Sequence, residues 1–149
     1  AIYMLKIILD TNVIISALHK PDSNPEIILS AGLDNDAGIC SLYLSDDIMR
    51  EYREVLARDK FSYLGRDRVE TFLMEIETRA VKIYPSVPVR AAVDPGDDKF
   101  LECALEARAD FFITGNTKHF PFKKFGQTQI VTPQNFLEIM GGLITSELT

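Results

Sequence analysis

Short apolar runs alternate with helical segments along this chain, and this alternation constrains the fold more than any other feature. The first run, residues 5–9 (LKIIL), is continuous and β-branched, which is typical of a strand buried on both faces. Strands separated by helices form parallel sheets with helices on both faces. We therefore predict an α/β fold with a parallel sheet. The predicted strands cover residues 5–9, 38–44, 81–84, 110–114 and 129–131.

Capping residues mark where the intervening helices begin. Pro25 follows Asn24 at a typical helix start, and Ser45 is a good N-cap. Asp46 and Asp47 follow it in the first turn, where the helix dipole favours acids. The predicted helices cover residues 24–33, 46–61, 66–78, 99–109 and 134–140.

The size and charge of the chain limit the classes of protein it can be. It has 149 residues, the length of one ordinary domain, and we interpret residues 4–149 as that domain. Residues 1–3 precede Met4 and are set aside as a remnant of expression. The formal net charge of −6 argues against a broad basic surface, but not against a nuclease whose acids bind metal.

We expect a cytoplasmic protein. No apolar run approaches the roughly 20 residues of a membrane helix, and no signal peptide pattern is present. Cys40 and Cys103 lie far apart with no metal-binding spacing. They are interpreted as small buried side chains in a reducing compartment.

An aspartate interrupts the apolar segment KIILDTNVII at residues 6–15. A buried, unpaired carboxylate costs several kcal/mol. Asp10 falls at the C-terminal end of the first predicted strand, where ligands bind in open α/β sheets. It is interpreted either as a cap of the following turn, aided by Asn12, or as a ligand of a metal ion that compensates its charge.

Three further acids are candidates for the same edge of the sheet. Glu51 lies beside the apolar stripe of its helix and turns toward the interior, although a salt-bridged rim position explains it equally well. Asp97 shares a helix face with the apolar Leu101, whereas Asp98 leans toward Glu102. Both aspartates also suit an ordinary helix start after an Asp-Pro pair.

Polar residues also follow the strand at residues 110–114. Thr114 and Asn116 flank a glycine there, in what is either a simple turn or part of the same crevice. Carboxylate and amide oxygens without Cys or paired His suit Mg²⁺ or Mn²⁺. Such an ion can activate water and neutralise a phosphodiester transition state. The sequence has no nucleophilic Ser or Cys motif, P-loop or dinucleotide fingerprint.

Four segments resemble the PIN domain family in their order and spacing. They are ILDTNVIIS (8–16), LSDDIMREYREVLARDKF (44–61), DPGDDKFLECALEARAD (94–110) and FFITGNTKHFP (111–121). The likeness spans nearly all of residues 5–140 and is strongest to VapC-like toxins. It implies a three-layer α/β/α sandwich around a parallel sheet of about five strands. It also implies a Mg²⁺- or Mn²⁺-dependent ribonuclease, in which metal-activated water cleaves RNA to a 5′-phosphate and a 3′-hydroxyl.

The resemblance implies roles for the acids by position. Asp10, Glu51 and Asp97 match the first three family acids and are the expected metal ligands. Asp98 sits beside the third and is the alternative for it.

The fourth family acid is replaced here by Asn116. Its carbonyl can ligate a metal but brings no charge, which puts a second metal ion in question. Asn12 and Thr114 match positions that orient the acids or the substrate phosphate. The replacement also supports an alternative function, a degenerate PIN domain that binds RNA or a protein without cleaving.

Basic residues near the C-terminal strands are candidates for RNA contact. They are interleaved with phenylalanines, a combination that suits single-stranded RNA, although a solvated loop explains them equally well. The resemblance further implies a homodimer and a small antitoxin as partners. The candidate RNA-binding residues are Lys118, His119, Lys123 and Lys124.

Overall fold

A computed structural model describes the backbone of residues 4–148 and the side chains of residues 4–142. Residues 1–3 and 149, including the supposed remnant, lie outside this part. Six strands form one sheet in the order β3-β2-β1-β4-β6-β5. In chain order they are β1 (Leu5–Leu9), β2 (Cys40–Leu44), β3 (Val81–Lys82), β4 (Phe111–Ile113), β5 (Lys124–Phe125) and β6 (Thr128–Val131).

α-Helices connect β1 through β4, as the alternation predicted, whereas a short 3₁₀ helix and a turn connect β4, β5 and β6. In residues 4–148 no helix combines the length and apolar composition needed to cross a membrane. The α-helices are α1 (Thr11–His19), α2 (Asn24–Leu33), α3 (Asp46–Leu56), α4 (Arg66–Arg79), α5 (Asp98–Ala107) and α6 (Pro133–Leu148).

The two faces of the central strands pack against different helices. Ile7 of β1 is paired in register with Phe111 of β4, and Ile8 with Phe112. Phe111 meets Phe136 of α6 edge-on at 5.2 Å, whereas Phe112 stacks on Phe100 of α5 at 5.3 Å. Successive side chains of a strand point to opposite faces, so α6 and α5 cover opposite sides. The predicted three-layer α/β/α architecture is therefore confirmed.

The sheet differs from the prediction at one edge. β5 is a sixth strand and pairs antiparallel with β6 through a turn at Gly126, whose φ is +58°. The other pairings are parallel, as predicted. A two-residue strand is too short to produce a periodic pattern in the sequence, which is why the predicted count of about five was one too low.

The helix after β2 is shorter than predicted. α3 ends at Leu56, and a 3₁₀ helix at Asp59–Leu64 replaces its expected continuation to Phe61. Gly65, at φ +88°, then separates the 3₁₀ helix from α4. The sequence has no Pro or Gly between residues 56 and 61, so no local signal marks this break.

The C-terminal edge of the sheet is where the candidate residues meet. The Asp10 amide donates to the Ile113 carbonyl at 2.9 Å, and the Thr114 amide donates to the Val131 carbonyl at 2.9 Å. These bonds continue the ladder one residue beyond β1 and β4. They place Asp10 and Thr114 side by side at the edge.

Candidate active site

Asp10 lies at the centre of the C-terminal edge. Its side chain is 7% exposed. One carboxylate oxygen accepts from the Thr114 hydroxyl at 2.7 Å, and the other accepts from the Thr11 amide at 2.7 Å. The second bond makes Asp10 the N-cap of α1. The cap interpretation therefore describes part of its role, without excluding a ligand role.

The environment of Asp10 disfavours its charge. Burial raises the pKa of Asp10 to about 6, while the hydrogen bonds from Thr114 and Thr11 oppose the rise. The negative charges of Asp97 and Glu51 raise the pKa further, so both carboxylates lie near Asp10. In the described part of the chain, no lysine or arginine forms an ion pair with Asp10.

Glu51 of α3 points toward the same crevice but is already engaged. One of its oxygens accepts from the ammonium of Lys99 at 2.6 Å, and the other accepts from the Thr11 hydroxyl. The next residue, Tyr52, is fully buried and donates its hydroxyl to the Leu9 carbonyl at 2.5 Å. This bond fixes α3 against the end of β1 and so sets the position of Glu51. Glu51 therefore forms the salt bridge that the alternative interpretation predicted, and its partner is Lys99.

The adjacent Asp97 and Asp98 point in different directions. Burial and the charge of Asp94 raise the pKa of Asp97, with a further contribution from Glu51. Asp98 is 8% exposed, and its Oδ1 accepts from the amides of Ala91 and Ala92 at 2.9 and 2.8 Å. Asp97 therefore lies with the other acids. Asp98, the alternative third acid, instead anchors the loop at Ala91 and Ala92.

Asn116 belongs to a hydrogen-bonded chain rather than standing alone. Its backbone N–H donates to the Thr114 hydroxyl oxygen at 3.0 Å, and its side-chain Nδ2 lies 2.9 Å from Nε2 of His119. His119 Nδ1 lies 3.3 Å from a carboxylate oxygen of Asp97. These contacts connect Asp10 to Asp97 through Thr114, Asn116 and His119.

Asn12 holds the turn after β4. Its carbonyl oxygen accepts from the Gly115 amide at 2.9 Å, and its Nδ2 lies 3.4 Å from Asp10. A Cβ on Gly115 would lie 3.1 Å from the Asn12 oxygen, so the close approach favours glycine. Asn12 and Thr114 thus contact Asp10 directly, as residues that orient an acid would.

The candidate RNA-binding residues are spread over two segments. Lys118 and His119 are exposed on a 3₁₀ helix at Thr117–His119, next to Asn116. Lys123 and Lys124 are exposed at the antiparallel edge formed by β5. Of the four, only His119 has a described contact with a site acid.

The donor chemistry of the site suits a hard divalent cation, although the residues do not form a closed cage. Among the described residues, no three His, Cys, Asp or Glu side chains are arranged as a ready metal cluster. Burial raises the pKa of both Asp10 and Asp97, and neighbouring carboxylates raise it further, so a cation would relieve the cost of ionising both. Oxygen ligands of this kind fit Mg²⁺ or Mn²⁺. The residues therefore fit such an ion at Asp10 and Asp97.

Three neighbours of the acids were missed by sequence reasoning. They are Thr11 and Lys99, which engage Glu51, and Tyr52, which bonds to the end of β1. Only for Lys99 was a signal available, because it follows the paired aspartates that open α5. Its partner is 48 positions away, so the pairing itself leaves no local pattern.

A family model described as PIN domain matches residues 6–118. Uncharacterized protein MJ1680 of Methanocaldococcus jannaschii is 33% identical over 114 residues, which cover 75% of this chain and 71% of that protein.

Two solved structures are similar in fold. The crystal structure of VapBC2 from Rickettsia felis, bound to a DNA fragment from their promoter, aligns with a TM-score of 0.58 and 15% identity. That alignment covers 86% of this chain and 98% of the other. The structure of FitAB bound to an IR36 DNA fragment aligns with a TM-score of 0.52 and 18% identity, covering 85% and 94%.

Proposed function

The chain belongs to the PIN domain family, and on that premise we propose that it is a metal-dependent endoribonuclease that hydrolyses RNA phosphodiester bonds. The observation that carries the proposal is a chain of contacts at the C-terminal edge of the sheet, which joins Glu51 and Asp97 to Asp10. Their charges act on one another, and burial makes Asp10 costly to ionise without a cation.

Each site residue has a stated part in this proposal. Mg²⁺ or Mn²⁺ bound between Asp10 and Asp97 would act as a Lewis acid toward water and the phosphodiester. Thr114 and Thr11 hold the two oxygens of Asp10 in place, and Asn12 supports the turn beside it. Asn116 fixes the ring of His119, which in turn contacts Asp97.

Cleavage of a mixed RNA pool with Mg²⁺, Mn²⁺ or EDTA tests the proposal. We expect metal-dependent cutting by the wild type, products with a 5′-phosphate, and loss of cutting in Asp10→Asn. Asp47→Asn is the matched control, because Asp47 is an exposed acid of α3 paired with Arg50 on the surface. Cutting by Asp10→Asn at the wild-type rate would refute the assignment of Asp10.

A second candidate function is non-catalytic binding, and the observation that favours it is Asn116. This residue brings no charge where the family has an acid, and its side-chain Nδ2 contacts the ring of His119. A folded wild type that binds RNA but does not cut it with either ion would support this function. Asn116→Asp would then be the first variant to test for restored cleavage.

Lys118, His119, Lys123 and Lys124 are proposed to bind the RNA backbone. They are exposed cationic or titratable side chains on a chain of net negative charge, so they offer local positive potential. Replacing Lys118, Lys123 and Lys124 together by Ala should weaken RNA binding and reduce its salt dependence. An unchanged salt dependence would exclude them as phosphate contacts.

The biological setting we propose is a cytoplasmic toxin held by a small antitoxin. The similarity in fold to the PIN components of VapBC2 and FitAB supports it, as do two buried free cysteines suited to a reducing compartment. Induced expression should arrest growth with the wild type and not with Asp10→Asn. Light scattering tests the proposed homodimer; a monomer at micromolar concentration would contradict it.

A further inference from the structure

Lys99 is a cation inside the candidate site that the proposed reaction does not yet explain. Its ammonium lies 2.6 Å from Oε1 of Glu51, and the two side chains are 24% and 22% exposed. Because the other oxygen of Glu51 accepts from the Thr11 hydroxyl, both oxygens are engaged by groups of this chain. An incoming metal ion would have to share an oxygen of Glu51 with one of these donors, or displace it, to bind Glu51 directly.

Lys99 is also well placed to compete. It lies in the first turn of α5, directly after Asp98, whose bonds to Ala91 and Ala92 fasten the start of that helix. An ammonium tethered in this way has a high effective concentration at Glu51, because only a few side-chain torsions must be fixed. A free ion pays the full cost of association.

The opposite side of the site likewise offers little to a second ion. Asn116 has no charge, its Nδ2 is engaged with His119, and its amide N–H with Thr114. Asp10 and Asp97 differ from Glu51 in this respect, because neither forms an ion pair with a lysine or arginine of the described residues. Asp97 contacts the titratable imidazole of His119 at 3.3 Å, so neither of these two acids is paired with an ammonium or guanidinium group among the described residues.

We infer that Lys99 is the resident cation of Glu51 and takes the place of a second metal ion, so that the site binds a single divalent ion through Asp10 and Asp97. The inference rests on the proposed function and specifies its ion stoichiometry. Lys99 is thus a charge-compensating residue that keeps Glu51 in position. It lowers the affinity for divalent ions, because a unit positive charge nearby repels them.

The test is to count bound Mn²⁺ and measure its affinity by electron paramagnetic resonance of the free ion, without RNA. We compare the wild type with Lys99→Met and with Lys82→Met, a matched control whose Lys82–Asp46 pair at 3.0 Å lies on the surface. We expect one ion on the wild type, unchanged binding by Lys82→Met, and binding about tenfold tighter by Lys99→Met, because a charge repelling the ion is removed.

The contrary results are distinct. Two ions on the wild type, or equal or weaker binding by Lys99→Met, would overturn the role of Lys99 and leave the nuclease proposal intact. No ion on the wild type or on Lys99→Met would overturn both. Thermal melts check that each variant is folded. Lys99→Gln replaces Lys99→Met if the Met variant is unfolded. If both variants are unfolded, the number of ions bound by the wild type tests the inference by itself.

Discussion

The edge of the sheet at Asp10 and the loop held by Asp98 contain two carboxylates of nearly equal burial, 7% and 8% exposed. Asp98 is surrounded by donors, because the amides of Ala91 and Ala92 both point at one of its oxygens. Asp10 has donors too, but burial raises its pKa and the charges of nearby Asp97 and Glu51 raise it further. At nearly equal burial, the Asp98 carboxylate therefore stabilises its loop, whereas the Asp10 carboxylate lowers the stability of the fold when it is charged. The difference is typical of functional sites, which give up stability for chemistry.

The largest effect should separate the adjacent aspartates by activity. Asp97→Asn is expected to lower RNA cleavage about 100-fold or more, because a carboxylate that would hold the ion is lost. Asp98→Asn should keep cleavage near the wild-type rate, since an amide oxygen can still accept from both backbone donors. Initial rates with Mn²⁺ measure both. If Asp98→Asn lost cleavage and Asp97→Asn kept it, Asp98 would be the third acid, and the contrast between Asp98 and the site acids would be wrong.

The next effect should separate them by stability. Asp98→Ala leaves two backbone amides without their acceptor and should lower the free energy of unfolding by about 2–4 kcal/mol. Asp98→Asn should lower it by less than about 1 kcal/mol, because its oxygen remains an acceptor. Urea unfolding monitored by circular dichroism gives both values. A similar loss in the two variants would mean that the charge of Asp98, rather than its acceptor oxygen, fastens the loop.

Removing the charge of Asp10 should raise the stability of the folded protein, whereas removing Asp98 lowers it. Because burial raises the pKa of Asp10 to about 6, the folded state binds a proton more tightly than the unfolded state does. Without metal, the stability of the wild type should therefore fall as pH rises from about 4 to 6.5. Asp10→Asn removes this loss and should be about 2–3 kcal/mol more stable than the wild type at pH 7.

Thermal melts in EDTA across this pH range measure the difference between wild type and Asp10→Asn. A constant difference from pH 4 to 7 would show that Asp10 does not titrate in that window. Added Mn²⁺ should reverse the order of stability at pH 7, since only the wild type retains the carboxylate that binds it.

The smallest effect should come from the turn beside Asp10. Gly115→Ala places a Cβ 3.1 Å from the Asn12 oxygen and should cost about 1 kcal/mol of stability and a few-fold in cleavage. Gly142→Ala, in α6, is the matched control: no atom of the described residues outside the helix lies within 4 Å of the added Cβ, and the change should stabilise by about 0.5–1 kcal/mol. Equal changes in stability of the two variants would show that the Asn12–Gly115 contact does not disfavour a side chain at residue 115.

Local patterns were sufficient to predict the framework of the fold. The strands at residues 5–9 and 110–114 and the helix start at Ser45 are visible because apolar periodicity and capping are local. The same patterns failed where a feature was very short or was decided by packing. Strand β5 has only two residues, and α3 ends at Leu56 without a Gly or Pro signal.

The sequence by itself determined the α/β class and the position of Asp10 at the end of a buried strand. Both depend on neighbours within a few residues. Only the tertiary structure decided which of Asp97 and Asp98 lies with the other acids, and that Glu51 is paired with Lys99. The physical reason is that a side chain's partner depends on how helices and strands pack. Thr114 reaches Asp10 across 104 positions, and no local pattern encodes such a contact.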